Sequence, residues 1–215
     1  MAIPPTPNDD AKKPRINLEG DKKTGAYKRH QSAHRNFVGS DQHPIEAGRY
    51  HLHVALACPW ADGTLAALFL KGLEGAVSYS VVHPTWSKTD SAGQHHGWVY
   101  RSPGDEPIPN PLGHGANECD DALIPDPSGI KSIRELYELS GDYQGPFTTP
   151  VLFDKKLNRI VNNESTEILR MLNFDFNDHA KNAKLNLYPE AKGEELAKLN
   201  ETTIYPKVCL KKRML

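Results

Sequence analysis

The chain has 215 residues, with 26 Lys and Arg set against 27 Asp and Glu and a formal net charge of −1. That length suits one large domain, or one domain with part of another, and the balanced charge offers no field to draw in nucleic acid or an acidic membrane surface. No apolar run approaches the ~20 residues that span a bilayer, and Met1 to Pro14 reads as a proline- and charge-rich arm, not a secretory signal, so the expected address is the cytoplasm.

Cys58, Cys119 and Cys209 are far apart and odd in number, which is not a disulfide framework and suits a reducing compartment. Of the ten histidines, His51 and His53 share a strand face and His95 and His96 are adjacent. No cysteine or carboxylate stands beside them at ligand spacing, so the spacing predicts surface and loop histidines and no metal.

In chain order, residues 1–48 read as an extended N-terminal arm. Pro4, Pro5, Pro7 and Pro14 keep its first part extended, and Phe37 and Ile45 are its expected apolar anchors. From Arg49 to Leu56 apolar and polar residues alternate, as in a half-buried strand. Pro59 ends that strand and suits the first position of a helix, which Leu65, Leu68 and Phe69 carry on to Lys71 before Gly72. Cys58 therefore falls on a strand-to-helix turn, where unpaired N–H groups and the helix dipole favour an anion. Two readings stand for it: a nucleophilic sulfur, or a small buried hydrophobe.

Val77, Tyr79 and Val81 alternate with serines and predict a second strand. With the first strand and its helix it makes a βαβ unit with parallel strands. From His83 to Gly129, prolines and glycines break up any pattern, and a loop of that length is usually functional or disordered. Trp98, inside it, either plugs the domain surface or offers a flat face to a ligand. Helical spacing returns from Ile130 to Leu139. Val151 to Phe153 is a short strand, a polar turn follows, and Arg159 to Val161 pairs back as a hairpin. Asn162 or Asn163 is the expected cap of a last helix, with Ile168, Leu169, Met171 and Leu172 on its apolar face. Thr149-Pro150 opens the third strand, and Pro150 there is either a cis proline or a trans proline starting an edge strand.

The order β-α-β-(loop)-α-β-β-α, the Cys-Pro turn, the Thr-Pro before the third strand and Asn163-Glu164-Ser165 together resemble the thioredoxin-like half of glutathione transferases. The phrases Gly48-Arg49-Tyr50-His51-Leu52-His53-Val54, Ala57-Cys58-Pro59-Trp60-Ala61, Gly97-Trp98, Thr149-Pro150-Val151-Leu152 and Ile160-Val161-Asn162-Asn163-Glu164-Ser165 are similar to the Xi class, the glutathionyl-hydroquinone reductases. The likeness covers roughly Phe37 to Pro206. It implies an α/β fold: a thioredoxin-like βαβαββα domain over residues 49–174, carrying the long loop 83–129, then a linker and the truncated start of an all-helical domain over 175–215.

By the same resemblance Cys58 is the nucleophile. Thr149 presents its backbone to the cysteinyl part of glutathione beside the structural cis-proline Pro150, Glu164 and Ser165 hold the γ-glutamyl end, and Trp98 packs beside the tripeptide. Read without the family, Glu164 and Ser165 are first-turn capping residues. The implied co-substrate is glutathione, with no metal. The implied partners are quinone-derived small molecules, with no nucleic acid or membrane, and the full-length family forms homodimers.

Three departures from the family pattern stand out. Asp62 and Gly63 occupy the positions of a histidine and an arginine. Pro146 replaces an arginine that contacts glutathione; one charge-assisted bond is worth about 1.5–3 kcal/mol, or about ten- to hundredfold in affinity. The family's long helical domain is represented only by its first residues, with Glu194 to Tyr205 expected as its lone helix. The sequence thus supports two readings: a glutathione-dependent thiol transferase that reduces glutathionyl-hydroquinones through a cysteine mixed disulfide, or a non-catalytic truncated remnant that keeps the fold and weak glutathione binding.

Overall fold

A computed structural model describes residues 32–93, 95–110, 114–189 and 195. The chain runs β1 (Tyr50–Ala55), α1 (Pro59–Lys71), β2 (Val77–Val82), four two-residue strands β3 (Ser87–Lys88), β4 (His96–Gly97), β5 (Ile108–Pro109) and β6 (Ala116–Asn117), then α2 (Ile133–Leu139), β7 (Val151–Asp154), β8 (Arg159–Asn162) and α3 (Ser165–Arg170). A π-helical turn, Met171–Asp175, and a 3-10 turn, Asn177–His179, continue from α3.

The main sheet has the order β2-β1-β7-β8. β1 runs parallel to β2, as the connecting helix requires, and antiparallel to β7, which pairs antiparallel with β8 through a tight turn. The arrangement is the thioredoxin-like sheet of the sequence reading. α1 and α3 cover one face, where Leu52, Val54, Leu68, Leu152, Val161, Ile168 and Leu172 form the larger core. α2 covers the other, where Ala55, Val82, Tyr100, Ile133, Leu136, Val151 and Phe153 form a second core.

Several local expectations are corrected. β1 is not half-buried: all six of its residues are buried, because the sheet's central strand is covered on both faces. The arm is anchored by Val38, which enters the larger core, while Phe37 and Ile45 are exposed. His43, His51, His53 and His83 are buried rather than at the surface. The loop expectation for 83–129 gives way to two small ribbons, β3-β4 and β5-β6. α2 begins three residues later than the spacing suggests, where Ser132 Oγ accepts a hydrogen bond from the Glu135 N–H at 3.1 Å. The residue at the N-cap of α3 is Glu164, and Asn162 acts one step earlier, its Oδ1 accepting the Glu164 N–H at 2.7 Å. The helix expected over Glu194 to Tyr205 lies outside the described residues except for Glu195, which is helical.

Both outer edges of the sheet are covered. At the β2 edge, Val81 and Ile124 exchange two backbone hydrogen bonds of 2.8 and 3.2 Å. At the β8 edge, the Asn36 N–H reaches the Val161 carbonyl at 2.9 Å and the Asn163 N–H reaches that of His34 at 3.1 Å. Lys71, at the end of α1, is fully buried and donates to Asn177 Oδ1 at 2.6 Å and to the Leu185 carbonyl at 2.7 Å. It ties the chain beyond α3 back to the first helix.

Candidate functional site

Cys58 stands where β1 hands over to α1. It is the N-cap residue, in extended conformation with φ −111° and ψ 108°, and Pro59 follows as the first helical residue. The turn is closed by the Cys58 N–H donating to the Ala55 carbonyl at 2.9 Å, and the Cys58 carbonyl then accepts from the N–H groups of Ala61 and Asp62. The side chain is half-buried between the two cores and touches both. It thus sits at the N-terminal end of α1, the end of a helix that favours negative charge, and it is not sealed in hydrocarbon.

The segment before β7 meets it. Cys58 Sγ lies 3.6 Å from the Thr149 carbonyl oxygen, and the Thr149–Pro150 peptide is cis, as is Gly145–Pro146. Both Thr149 and Pro150 are buried, and the Thr149 hydroxyl has no hydrogen-bond partner among the described residues. Trp98 is half-buried; it packs on the second core, as Cys58 and Phe147 also do, and it meets Trp86 edge to face at 5.4 Å. Its carbonyl accepts the Ile133 N–H at 3.0 Å, so the indole is carried by the start of α2.

Glu164 and Ser165 open α3, only 6% and 3% exposed. Glu164 makes no side-chain cap; its Oε2 accepts from Ser32 Oγ at 3.0 Å. The capping reading therefore does not describe Glu164. Behind them, the Asn163 amide donates to the Tyr137 hydroxyl at 2.8 Å, and that hydroxyl lies 3.2 Å from the Thr148 carbonyl. This chain of bonds ties the start of α3 to the segment leading into Thr149. Sequence reasoning missed Tyr137 and Asn163 as connectors, because only the fold brings them together.

Two of the departures lie close to this site. Asp62 is in the first turn of α1, and its carboxyl is raised by partial burial. Next to Pro146, the Phe147 ring lies 5.7 Å from the Arg134 guanidinium, which is paired with Asp90 and Glu138. An open hollow of about 310 Å³ is lined by Ala33, His34, Ser140, Gly141, Asp142, Tyr143 and Gln144. It shares no residue with the cysteine site.

The family of the glutathione S-transferase N-terminal domain matches residues 57–173. The chain is 38% identical over 188 residues to the glutathionyl-hydroquinone reductase YqjG of Escherichia coli, covering 82% of this chain and 50% of that protein. Among solved structures it matches glutathione transferase Xi 1 from Trametes versicolor with a TM-score of 0.62 and 41% identity, over 80% of this chain and 53% of that one. It matches the glutathione-bound structure of YqjG with a TM-score of 0.58 and 35% identity, over 78% of this chain and 50% of that one. The chain spans about half the length of the curated relatives it matches. With a thioredoxin-like sheet, a cysteine on the Cys-Pro turn and a cis proline beside it, the chain belongs to the glutathione S-transferase family, and its likeness within that family is to the Xi-class glutathionyl-hydroquinone reductases.

Proposed function

We propose that this chain binds glutathione and carries out thiol exchange at Cys58, with glutathionyl-hydroquinones as the substrate class. The observation that carries this reading is the placement of Cys58 Sγ at the head of α1, half-buried, 3.6 Å from the Thr149 carbonyl beside cis Pro150. The tripeptide would lie along the Thr149 backbone, with its γ-glutamyl carboxylate at the start of α3 beside Glu164 and Ser165. The similarity to YqjG, a protein solved with glutathione bound, supports this choice of ligand.

In the first step the Cys58 thiolate attacks the sulfur of a glutathionyl-hydroquinone. The carbon–sulfur bond breaks, a Cys58–glutathione disulfide forms, and the ring carbon takes a proton as the hydroquinone leaves. The ring is reduced by two electrons and the sulfurs are oxidised to the same extent. In the second step the thiolate of another glutathione attacks the mixed disulfide; oxidised glutathione leaves and the Cys58 thiolate is restored. Trp98 would flank the tripeptide, and the Thr149 hydroxyl, buried and without a hydrogen-bond partner among the described residues, is a polar group that a bound ligand can satisfy.

The test is mass spectrometry of the folded chain after incubation with oxidised glutathione or glutathionyl-menadiol. A single glutathione adduct at Cys58 is expected, absent in Cys58→Ser; a folded protein with no adduct at that residue overturns the proposal. The second reading, a non-catalytic truncated remnant with weak glutathione binding, is favoured by Asp62 in the first turn of α1, one turn from Cys58, and by Pro146 in place of a cationic contact. Steady reductase turnover that disappears in Cys58→Ser excludes it.

A further inference from the structure

Away from the cysteine, the fold builds a second cluster of chemistry-bearing side chains. His51 and His53 alternate along β1, so both rings project from one face, with centroids 4.5 Å apart. Asp126 joins them from the long loop. Two residues before it, Ile124 is bonded to Val81 in both directions, which fixes where Asp126 falls. Its Oδ2 lies 4.0 Å from His51 Nε2 and 3.8 Å from His53 Nδ1, and the three side chains are 3%, 0% and 5% exposed. One ligand atom from each residue lies within 4.8 Å of the other two.

We propose that His51, His53 and Asp126 form a buried site for a divalent zinc-like cation, which bolts the long loop to the central strand. The gaps between carboxylate and imidazoles are too long for hydrogen bonds. They are close to the separation of two ligands on one tetrahedral ion: bonds of about 2.0–2.1 Å put neighbouring ligands about 3.3 Å apart. The two carboxylate gaps would close by about 0.5–0.7 Å, and the two imidazole nitrogens, within 4.8 Å of each other, would draw together as well, by side-chain rotation.

The outer contacts of Asp126 and His51 are those a ligand set needs. The other carboxylate oxygen, Oδ1, is held by the Ser128 N–H at 2.8 Å and by the Ser128 hydroxyl. That leaves Oδ2 for the ion. His51 Nδ1 is paired with Ser78 Oγ at 2.7 Å, which leaves Nε2 toward Asp126. His53 Nδ1 meets the Tyr100 hydroxyl at 2.6 Å, and Ser80 Oγ lies 2.8 Å from His51 Nε2. These two hydroxyls occupy the ion's side of the rings; Ser80 would move aside, and the Tyr100 hydroxyl or a water would complete the four ligands. His53 Nε2, on the far side of the ring from Asp126, is buried without a hydrogen-bond partner among the described residues, so Tyr100 alone holds this ring by a hydrogen bond. Two imidazoles with one carboxylate suit zinc and its first-row neighbours better than calcium or magnesium. Lys155 Nζ is held on Ser78 Oγ at 3.2 Å, one residue outside the set. This proposal does not depend on the reading of Cys58.

The test uses the full chain stripped of metal. Zinc is titrated by calorimetry, and cobalt is used as an absorbing substitute. One equivalent of zinc should bind and raise Tm, and the cobalt form should show tetrahedral d–d bands without a thiolate charge-transfer band. Ser128 is exposed, and Ser128→Ala should weaken binding about tenfold, with Asp126→Asn weakening it about a hundredfold or more. Cys58→Ser and His95→Asn should leave it unchanged. If Asp126→Asn does not fold, Ser128→Ala and the cobalt spectrum decide. No zinc uptake by the intact chain, a cobalt–thiolate band, or an affinity that Ser128→Ala leaves unmoved would overturn the proposal.

Discussion

Asp154 shows how much one residue can hold. It is fully buried at the end of β7 and takes the Arg49 guanidinium at 2.6 and 2.9 Å and His43 Nδ1 at 2.9 Å, all on Oδ2. Its Oδ1 accepts the N–H groups of Lys156 and Leu157 and so shapes the β7–β8 turn. Burial alone would raise its carboxyl, but the hydrogen bonds from Arg49 and His43 outweigh that and hold it below its ordinary 3.8. The stabilisation is therefore complete above about pH 4 and is lost as pH falls through the lower folded-state value. Asp154→Asn should destabilise the fold by about 3–5 kcal/mol at pH 7, because Arg49 is left buried without its partner. Urea melts at pH 7 and pH 3 check this. The difference between wild type and variant should shrink in acid, and a constant difference would remove Asp154 as its source. Cys58 differs in kind: its side chain is half-buried and packs against both cores without a buried charge to satisfy.

At the scale of elements, α1 is defined at both ends by residues with no alternative. Pro59 starts it, and Gly72 ends it with φ +67°, in the left-handed region. A Cβ at Gly72 would meet Lys181 Cβ at 2.7 Å, whereas one at Gly141, with φ +85°, would meet nothing within 4 Å. Both alanine variants bear the left-handed strain of about 1–2 kcal/mol, but Gly72→Ala should cost more, because the Lys181 segment must also shift. Thermal melts of the two variants separate strain from contact, and equal losses would show that the segment yields freely.

Such terminators are what made α1, β2, β7 and β8 legible from the sequence. Pro59, Gly72 and the alternation around Val77 are local signals. What was not legible came from distance along the chain. The full burial of β1 depends on α2 and the loop covering its second face. Nothing beside His51 and His53 announces a carboxylate, since Asp126 is brought to them only by the pairing of Ile124 with Val81. The burial of Glu164 could not be read either, because Ser32 reaches it from the other end of the chain.

Across the whole molecule, the described residues contain no helix long and apolar enough to cross a membrane. Their exposed apolar side chains include Trp60, Phe69 and Leu70, all on α1. Residues 57–173, which match the family domain, carry the cysteine turn, the cis proline and the start of α3. Segments outside that span still shape the sheet, and His34 to Asn36 along β8 are the plainest case. An uncovered strand is a template on which a second chain can add its own backbone. The cover over β8 therefore acts as a guard against self-association, in addition to any stability it lends. Asn36→Pro removes the N–H that holds the Val161 carbonyl and should seed faster fibril-type aggregation than wild type at equal concentration, read by dye binding and light scattering; unchanged kinetics would mean that the border is policed elsewhere.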